Sequence, residues 1–130
     1  MLYDHVDFRV GNVAKVRPLY DALFAAWGYT DVHEDSESVG YHRPSETGDD
    51  AFFWIVHEDG HVPSATRVAF AVRSREDVDR FSAIARGNGA REFDGPLLMT
   101  EYGPNYYASF FEDAEGNKLE ICSRRPASSV

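Results

Sequence analysis

The chain has 130 residues, a formal net charge of −9 at pH 7 and 43% hydrophobic residues. This length and apolar content predict one folded domain spanning residues 1–130 and exclude a disordered acidic tail. The negative charge argues against nucleic-acid or membrane partners, because phosphates and anionic lipids would be repelled. The single cysteine, Cys122, cannot form an intrachain disulfide, which favours a reducing, cytoplasmic compartment.

The first half of the sequence predicts a strand, a helix and then further strands. Apolar and polar residues alternate over residues 3–10, which is the period of a strand. Helical spacing follows, with Pro18 at an early helical position after a loose turn, and Gly28 ends the helix. The segments "ESVGYHR" (37–43) and "AFFWIVHE" (51–58) are predicted strands.

The same order of elements begins again in the second half. Residues 66–72 predict a strand, and Ser74 predicts the cap of an amphipathic helix. The segment "AREF" (90–93) predicts a short strand, and "DGPLLMTEYGPN" (94–105) predicts a long loop. A terminal β-hairpin over residues 106–123 completes the pattern.

The two halves align at an offset of 62, which places His5 against Arg67. A duplicated β-α-β-β-β unit explains this alignment and predicts an α+β fold. One helix per unit can cover only one face of its small sheet, so the other face must curl around its twin or around a ligand.

The segments "DHVDFRVGNVAKVRPLYDALFAAWGY", "FFWIVH", "TRVAFAV" and above all "YGPNYYASFFEDAEGNKLEI" resemble the vicinal oxygen chelate superfamily, which includes glyoxalase I, bleomycin-resistance proteins and extradiol dioxygenases. The resemblance implies two modules, about 1–60 and about 65–125, paired into a curved mixed sheet that forms a cup. Together with exposed sheet edges, it also predicts a homodimer.

The metal enzymes of this superfamily bind a divalent ion with residues from the first and last strands of the modules. By this resemblance, His5 and Glu120 occupy ligand positions, whereas Arg67 and Trp54 stand where two further ligands would be. A guanidinium cannot accept a metal bond and would repel a dication. No cofactor is therefore expected; if a divalent metal does bind, His5 and Glu120 are the predicted ligands.

A simpler explanation of the glutamate in the last strand is an ion pair in which Arg67 takes the place of the metal beside Glu120. Arg67 could also bind the carboxylate or phosphate of a ligand. His5 could be a hydrogen-bonded interior histidine or a ligand contact.

We predict a ligand pocket that includes Arg67, Glu120 and His5, together with one tryptophan and two tyrosines. Trp54 is predicted to line the pocket, because strand alternation places it opposite Phe53. The tyrosines of "EYGPNYY" could pack the hairpin or form a mobile wall over the ligand. The predicted pocket residues are His5, Trp54, Arg67, Tyr102, Tyr107 and Glu120, and no catalytic residue is assigned.

No functional role is predicted for the remaining histidines or for the cysteine. His33, His42, His57 and His61 are predicted to be solvated loop residues, and Cys122 a small packed residue.

Three functions stay open at this point. The first is a protein of the glyoxalase/bleomycin-resistance/dioxygenase type that binds a small anionic or aromatic molecule in a metal-free cup. The second is a divalent-metal-dependent lyase, isomerase or dioxygenase acting on vicinal oxygens. The third is an interaction scaffold, which predicts a filled cup without a pocket of ligand size.

Overall fold

The computed structural model describes residues 3–48 and 51–127. The chain divides into two compact units, Met1–Val62 and Pro63–Val130, which we call the first and second modules. Among the helices of the described ranges, none is both long and apolar enough to cross a membrane.

The first module consists of β1 (His5–Val10), α1 (Val13–Ala26), β2 (Asp31–Glu34), β3 (Ser38–His42) and β4 (Phe52–His57). Its sheet has the order β1-β4-β3-β2, with β1 parallel to β4 and the other pairs antiparallel.

The second module repeats this plan with β5 (Arg67–Ala71), α2 (Arg75–Gly87), β6 (Arg91–Leu98), β7 (Tyr107–Glu112) and β8 (Lys118–Ser123). Its sheet has the order β5-β8-β7-β6, again with one parallel pair, β5 and β8. The predicted α+β fold of two β-α-β-β-β modules is therefore confirmed.

Helix α1 begins earlier than the sequence suggested. The side chain of Asn12 accepts a hydrogen bond from the backbone N–H of Lys15 at 3.1 Å, so the helix starts at Val13. Pro18 consequently lies inside the helix and not near its start, which corrects the prediction. Because proline has no N–H, the helix lacks the hydrogen bond from residue 18 to the Ala14 carbonyl.

The apolar face of α1 covers one face of the first sheet. The rings of Phe24 and Tyr41 stack with centroids 4.7 Å apart, and Tyr20 stacks on Phe53 at 6.3 Å. All four side chains are buried. Because successive side chains of a strand alternate, the opposite face of this sheet carries His5 and Trp54, as the alternation predicted.

The buried Tyr41 hydroxyl donates to Asp21 Oδ1 at 2.7 Å. Burial, reinforced by this hydrogen bond, raises the pKa of Tyr41 well above its ordinary value of 10.0. Above about pH 10, the unfolded chain loses the phenolic proton while the folded chain keeps it. The free energy of unfolding should therefore fall by about 1.4 kcal/mol per pH unit through this residue.

We expect Tyr41→Phe to lower the free energy of unfolding by about 1 kcal/mol at neutral pH, because one buried hydrogen bond is lost. The variant should also lose less stability than the wild type as the pH rises above about 10. Urea unfolding at several alkaline pH values measures both effects. Parallel alkaline losses in the two proteins would contradict this assignment.

Helix α2 begins as predicted, because the Ser74 hydroxyl accepts from the backbone N–H of Asp77 at 3.1 Å. Its buried side chains, including Val78 and Phe81, face β7 and β8, where Phe111, Leu119 and Ile121 are buried in turn.

Strand β6 is longer than the predicted strand over 90–93 and extends through the predicted loop to Leu98. Two register shifts against β7, between Arg91 and Asp94 and between Asp94 and Leu97, interrupt its pairing. Gly95, at φ 96°, lies in the second irregular stretch. A bulged edge strand tolerates the Gly-Pro pair that made this segment resemble a loop.

Candidate functional site

The face of the second sheet that points away from α2 carries most of its charged side chains. Strand pairing aligns Arg67 with Lys118, Glu120 with Phe110, and Phe110 with Asp94. Directly paired residues project to the same side of a sheet. The four strands therefore bring these residues onto one surface.

A pocket of about 330 Å³ opens on this surface, wholly within the second module. Basic, acidic and apolar side chains contribute to its wall: Arg67, Glu92, Asp94, Met99, Tyr102, Phe110, Phe111, Glu112 and Lys118. Of the predicted pocket residues, the wall therefore includes Arg67 and Tyr102.

Arg67 reaches across β8 from its position at the start of β5. Its Nη1 donates to the Leu119 carbonyl at 2.9 Å, and its Cζ lies 4.9 Å from the centroid of the Phe110 ring. The predicted ion pair between Arg67 and Glu120 is wrong, because neither side chain has the other as a partner in the part of the chain that the structure describes. The guanidinium instead contacts a carbonyl and an aromatic face.

Glu120 is buried, with 5% of its surface exposed. The hydroxyl of Tyr106 donates to Glu120 Oε2. Burial raises the pKa of Tyr106, and the hydrogen bond to Glu120 raises it further, so the phenol remains a donor at neutral pH. The Tyr106 hydroxyl, and not the Arg67 guanidinium, is therefore the hydrogen-bond partner of the glutamate in the last strand.

The acidic part of the pocket wall comes mainly from β6. Glu92 has φ 57°, in the left-handed region, and lies in the first irregular stretch of the strand, between Arg91 and Asp94. Bulges often redirect side chains near functional sites. Here the bulge lets Glu92 and Asp94 both reach the pocket wall.

One cation and one anion of the wall pair with each other. Lys118 Nζ lies 3.6 Å from Glu112 Oε2, and Arg91 Nε lies 3.6 Å from Glu112 Oε1. Arg67 is the remaining basic group of the wall, which Glu92 and Asp94 also line.

The two tyrosines of the predicted pocket lie in different places. Tyr102 is 57% exposed and forms part of the wall. Tyr107 donates its hydroxyl to Asp79 of α2 at 2.7 Å, so its side chain lies on the helix side of the sheet and away from this pocket. Tyr106, which the prediction left out, instead contacts Glu120 and packs against Tyr102 with centroids 5.6 Å apart.

His5 and Trp54, the other predicted pocket residues, belong to the first module. His5 Nδ1 lies 2.8 Å from the Asp4 carboxylate, and this hydrogen bond raises the pKa of the exposed His5 ring. The indole of Trp54 covers Gly40, and a Cβ on that glycine would lie 2.6 Å from the ring. Their binding of a ligand stays a prediction.

Three of the four histidines predicted to be solvated loop residues are strand residues, and one of them, His57, is the last residue of β4. His33 lies in β2 and His42 in β3, and the His42 side chain is buried. The short strand β2 was hidden by its many polar residues, so sequence alternation could not mark it.

Some wall residues could have been found from the hairpin. Its turn sets the register that pairs Phe110 with Glu120 and Glu112 with Lys118. No such signal was available for Glu92 and Asp94. The bulges of β6 interrupt the alternation that would otherwise predict which side of the sheet each side chain points to.

No protein-family model and no curated protein sequence matches the chain. Solved structures do. A glyoxalase/bleomycin resistance protein from Albidiferax ferrireducens T118 has a TM-score of 0.75 and 23% identity, covering 97% of this chain and 100% of its own. A glyoxalase/bleomycin resistance protein/dioxygenase family enzyme from Burkholderia phytofirmans PsJN has a TM-score of 0.68 and 14% identity, covering 95% and 100%. The chain has the glyoxalase/bleomycin resistance fold.

The fosfomycin resistance protein FosX from Mesorhizobium loti shares this fold at a TM-score of 0.64 and 15% identity, covering 95% of this chain and 91% of its own. These neighbours agree with the resemblance drawn from the sequence, which named the vicinal oxygen chelate superfamily.

The residues at the positions implied for a metal in the glyoxalase/bleomycin resistance fold do not suit one. Arg67 and Trp54 offer no lone pair to a dication. Glu120 is engaged by the Tyr106 hydroxyl, and His5 by the Asp4 carboxylate. Because a catalytic site usually takes three protein ligands, this donor set does not fit a divalent ion.

Proposed function

We propose that the protein binds a small molecule that has one anionic group and an aromatic or apolar body, in the pocket of the second module and without a metal. The observation that carries this proposal is the placement of Arg67. Its guanidinium stands at the pocket wall, against a carbonyl and an aromatic ring, and is not neutralised by Glu120.

The guanidinium has five N–H donors, and the hydrogen bond to Leu119 uses one of them. The planar fork of Arg67 is suited to a carboxylate or a similar planar anion. The contact with the Phe110 ring restricts the guanidinium, so less entropy is lost when a ligand binds.

The neighbouring wall residues supply the other parts of the recognition. Met99, Tyr102 and Phe110 offer apolar surface. Glu92 and Asp94 accept hydrogen bonds from a ligand and repel a second negative charge. This combination favours a monoanion over a polyanion such as a phosphorylated nucleotide.

The size of the pocket, about 330 Å³, supports binding over a purely structural role. Ligand sites for small molecules begin at about 300 Å³, whereas an interaction scaffold predicts a filled space. Because neighbours are named for bleomycin and fosfomycin resistance, antibiotics are worth including among the ligands tested.

A thermal-shift assay with benzoate, an aromatic monoanion, tests the proposal. Benzoate should raise the melting temperature, whereas uncharged benzamide and dianionic phthalate should raise it less. Replacing Arg67 with alanine should weaken benzoate binding by about 10–100-fold, because a charge-assisted hydrogen bond contributes roughly 1.5–3 kcal/mol.

Arg80→Ala is the matched control, because Arg80 is an exposed arginine of α2 outside the pocket wall. This variant should keep the response to benzoate. Equal responses of the Arg67 and Arg80 variants, or no preference for the anion over the amide, would contradict the proposal.

The alternative is a divalent-metal-dependent lyase, isomerase or dioxygenase. It predicts that purified protein retains a stoichiometric metal and that His5→Gln and Glu120→Gln both remove it. Elemental analysis after dialysis separates the two functions, and metal lost on these two substitutions would favour the enzyme.

A further inference from the structure

A cluster of two histidines and one aspartate lies in the first module, in strands that the proposed function does not use. Asp31 and His33 are two residues apart in β2 and therefore project to the same face of the sheet. His42 of β3 pairs directly with Asp31 in the antiparallel register. The topology thus places all three side chains on the face opposite α1.

The donor atoms of the cluster converge. Asp31 Oδ2 lies 3.1 Å from His42 Nδ1 and 3.2 Å from His33 Nε2, and all three ligand atoms lie within 4.8 Å of one another. With metal–ligand bonds of about 2.1 Å, neighbouring donors around a tetrahedral or octahedral ion lie ~3.0–3.4 Å apart. The two distances from the Asp31 carboxylate to the imidazole nitrogens therefore match neighbouring positions in a coordination shell.

Aromatic side chains hold the cluster in place. The His42 ring stacks on Phe52 with centroids 4.1 Å apart and an interplanar angle of 7°, and only 7% of His42 is exposed. Gly40 pairs with His33 across the two strands, and the Trp54 indole occupies the space that a side chain on Gly40 would need. These contacts restrict the rings before any ligand arrives, which favours binding.

The other side of the cluster is open. The side chains of Asp31 and His33 are 46% and 48% exposed. An ion held by these three groups would keep positions for water or for a further ligand, as metal sites with three protein ligands do.

We propose that Asp31, His33 and His42 bind one divalent transition-metal ion. Two imidazoles and one carboxylate select ions that accept nitrogen ligands, such as Zn²⁺, Ni²⁺ or Fe²⁺, over Mg²⁺ and Ca²⁺, which prefer oxygen. This site shares no residue with the positions that the fold family implies for a metal, and it does not depend on the Arg67 pocket.

Isothermal titration of Zn²⁺ into chelator-treated, full-length protein tests the proposal. We expect one ion per chain, and much weaker binding of Mg²⁺. His33→Gln and Asp31→Asn should each lower the Zn²⁺ affinity at least about tenfold. Both side chains are half exposed, so these variants should remain folded, which circular dichroism verifies.

Two histidine variants serve as controls. His57→Gln removes a histidine of the same module whose Nε2 lies 2.6 Å from Asp59, and His5→Gln removes the ligand that the family resemblance implies. Both should bind Zn²⁺ like the wild type, as should Arg67→Ala.

Absence of Zn²⁺ binding by the wild type would overturn the proposal and leave a hydrogen-bonded Asp–His cluster only. Unchanged affinity in His33→Gln, or lost binding in His5→Gln, would also overturn it. The Arg67→Ala variant distinguishes the two sites, because it should lose benzoate binding and keep Zn²⁺ binding. A negative result for Zn²⁺ therefore leaves the benzoate experiment unaffected.

Discussion

Replacing Gly95 with alanine is expected to lower the free energy of unfolding by about 3 kcal/mol. Gly95 has φ 96°, a conformation that side chains with a Cβ rarely adopt. An added Cβ would also lie 2.6 Å from the Ala108 carbonyl oxygen and 3.0 Å from the Leu97 nitrogen. Both neighbours are backbone atoms, so β6 and β7 would have to separate. Urea unfolding measures the loss.

Gly60→Ala is the matched control for backbone strain alone. Gly60 has φ 70° but no atom within 4 Å of an added Cβ. We expect this variant to lose only about 1 kcal/mol. Equal losses at Gly60 and Gly95 would show that the contact with Ala108 is unimportant.

The Gly95 variant should also respond less to benzoate. Asp94 precedes the glycine and, like Glu92, lies in the pocket wall on the same bulged strand. A shift of β6 away from β7 would therefore move these carboxylates relative to Phe110. The Gly60 variant should keep the wild-type response.

Replacing Tyr106 with phenylalanine is expected to lower the free energy of unfolding by about 2 kcal/mol. The substitution removes the hydroxyl that donates to Glu120, while both residues are buried, with 7% and 5% of their surfaces exposed. A buried carboxylate that loses its donor keeps the penalty of desolvation without compensation. Chemical denaturation near neutral pH measures the change.

Tyr102→Phe is the corresponding control, because 57% of Tyr102 is exposed. Its effect should stay within about 0.5 kcal/mol. A loss as large as that of Tyr106→Phe would mean that the hydroxyl–carboxylate bond is not the cause.

A double substitution isolates the interaction between the two groups. Once Tyr106 is phenylalanine, changing Glu120 to glutamine should cost less than in the wild type, because a neutral amide is less expensive to bury than an unpaired carboxylate. The double-mutant cycle should give a coupling energy of about 1 kcal/mol or more. Additive effects would contradict the pairing.

Local patterns were sufficient to predict the element order of the fold. The alternation in β1, the cap at Ser74 and the terminal hairpin depend on interactions between residues close in sequence. The offset of 62 that aligns His5 with Arg67 reappears as the first residue of β1 and of β5. A duplicated pattern of local signals therefore predicted a duplicated module.

The extent of β6 was not predictable in this way. Its bulges and Gly95 resemble a loop when only the neighbouring residues are considered. Pairing with β7 across the sheet makes the segment a strand, because the hydrogen-bond partners are supplied by residues distant in sequence.

The site shows the same division between local and tertiary information. The sequence by itself determined that Arg67 and Glu120 are strand residues with a polar facing, since facing follows from a period of two. Only the tertiary structure decided their partners, which are Leu119 and Phe110 for the arginine and Tyr106 for the glutamate. It also brought Asp31 and His42, on neighbouring strands, within 3.1 Å. A partner depends on which strands pair and in which register, and that choice belongs to the packing of the whole sheet and not to any single segment.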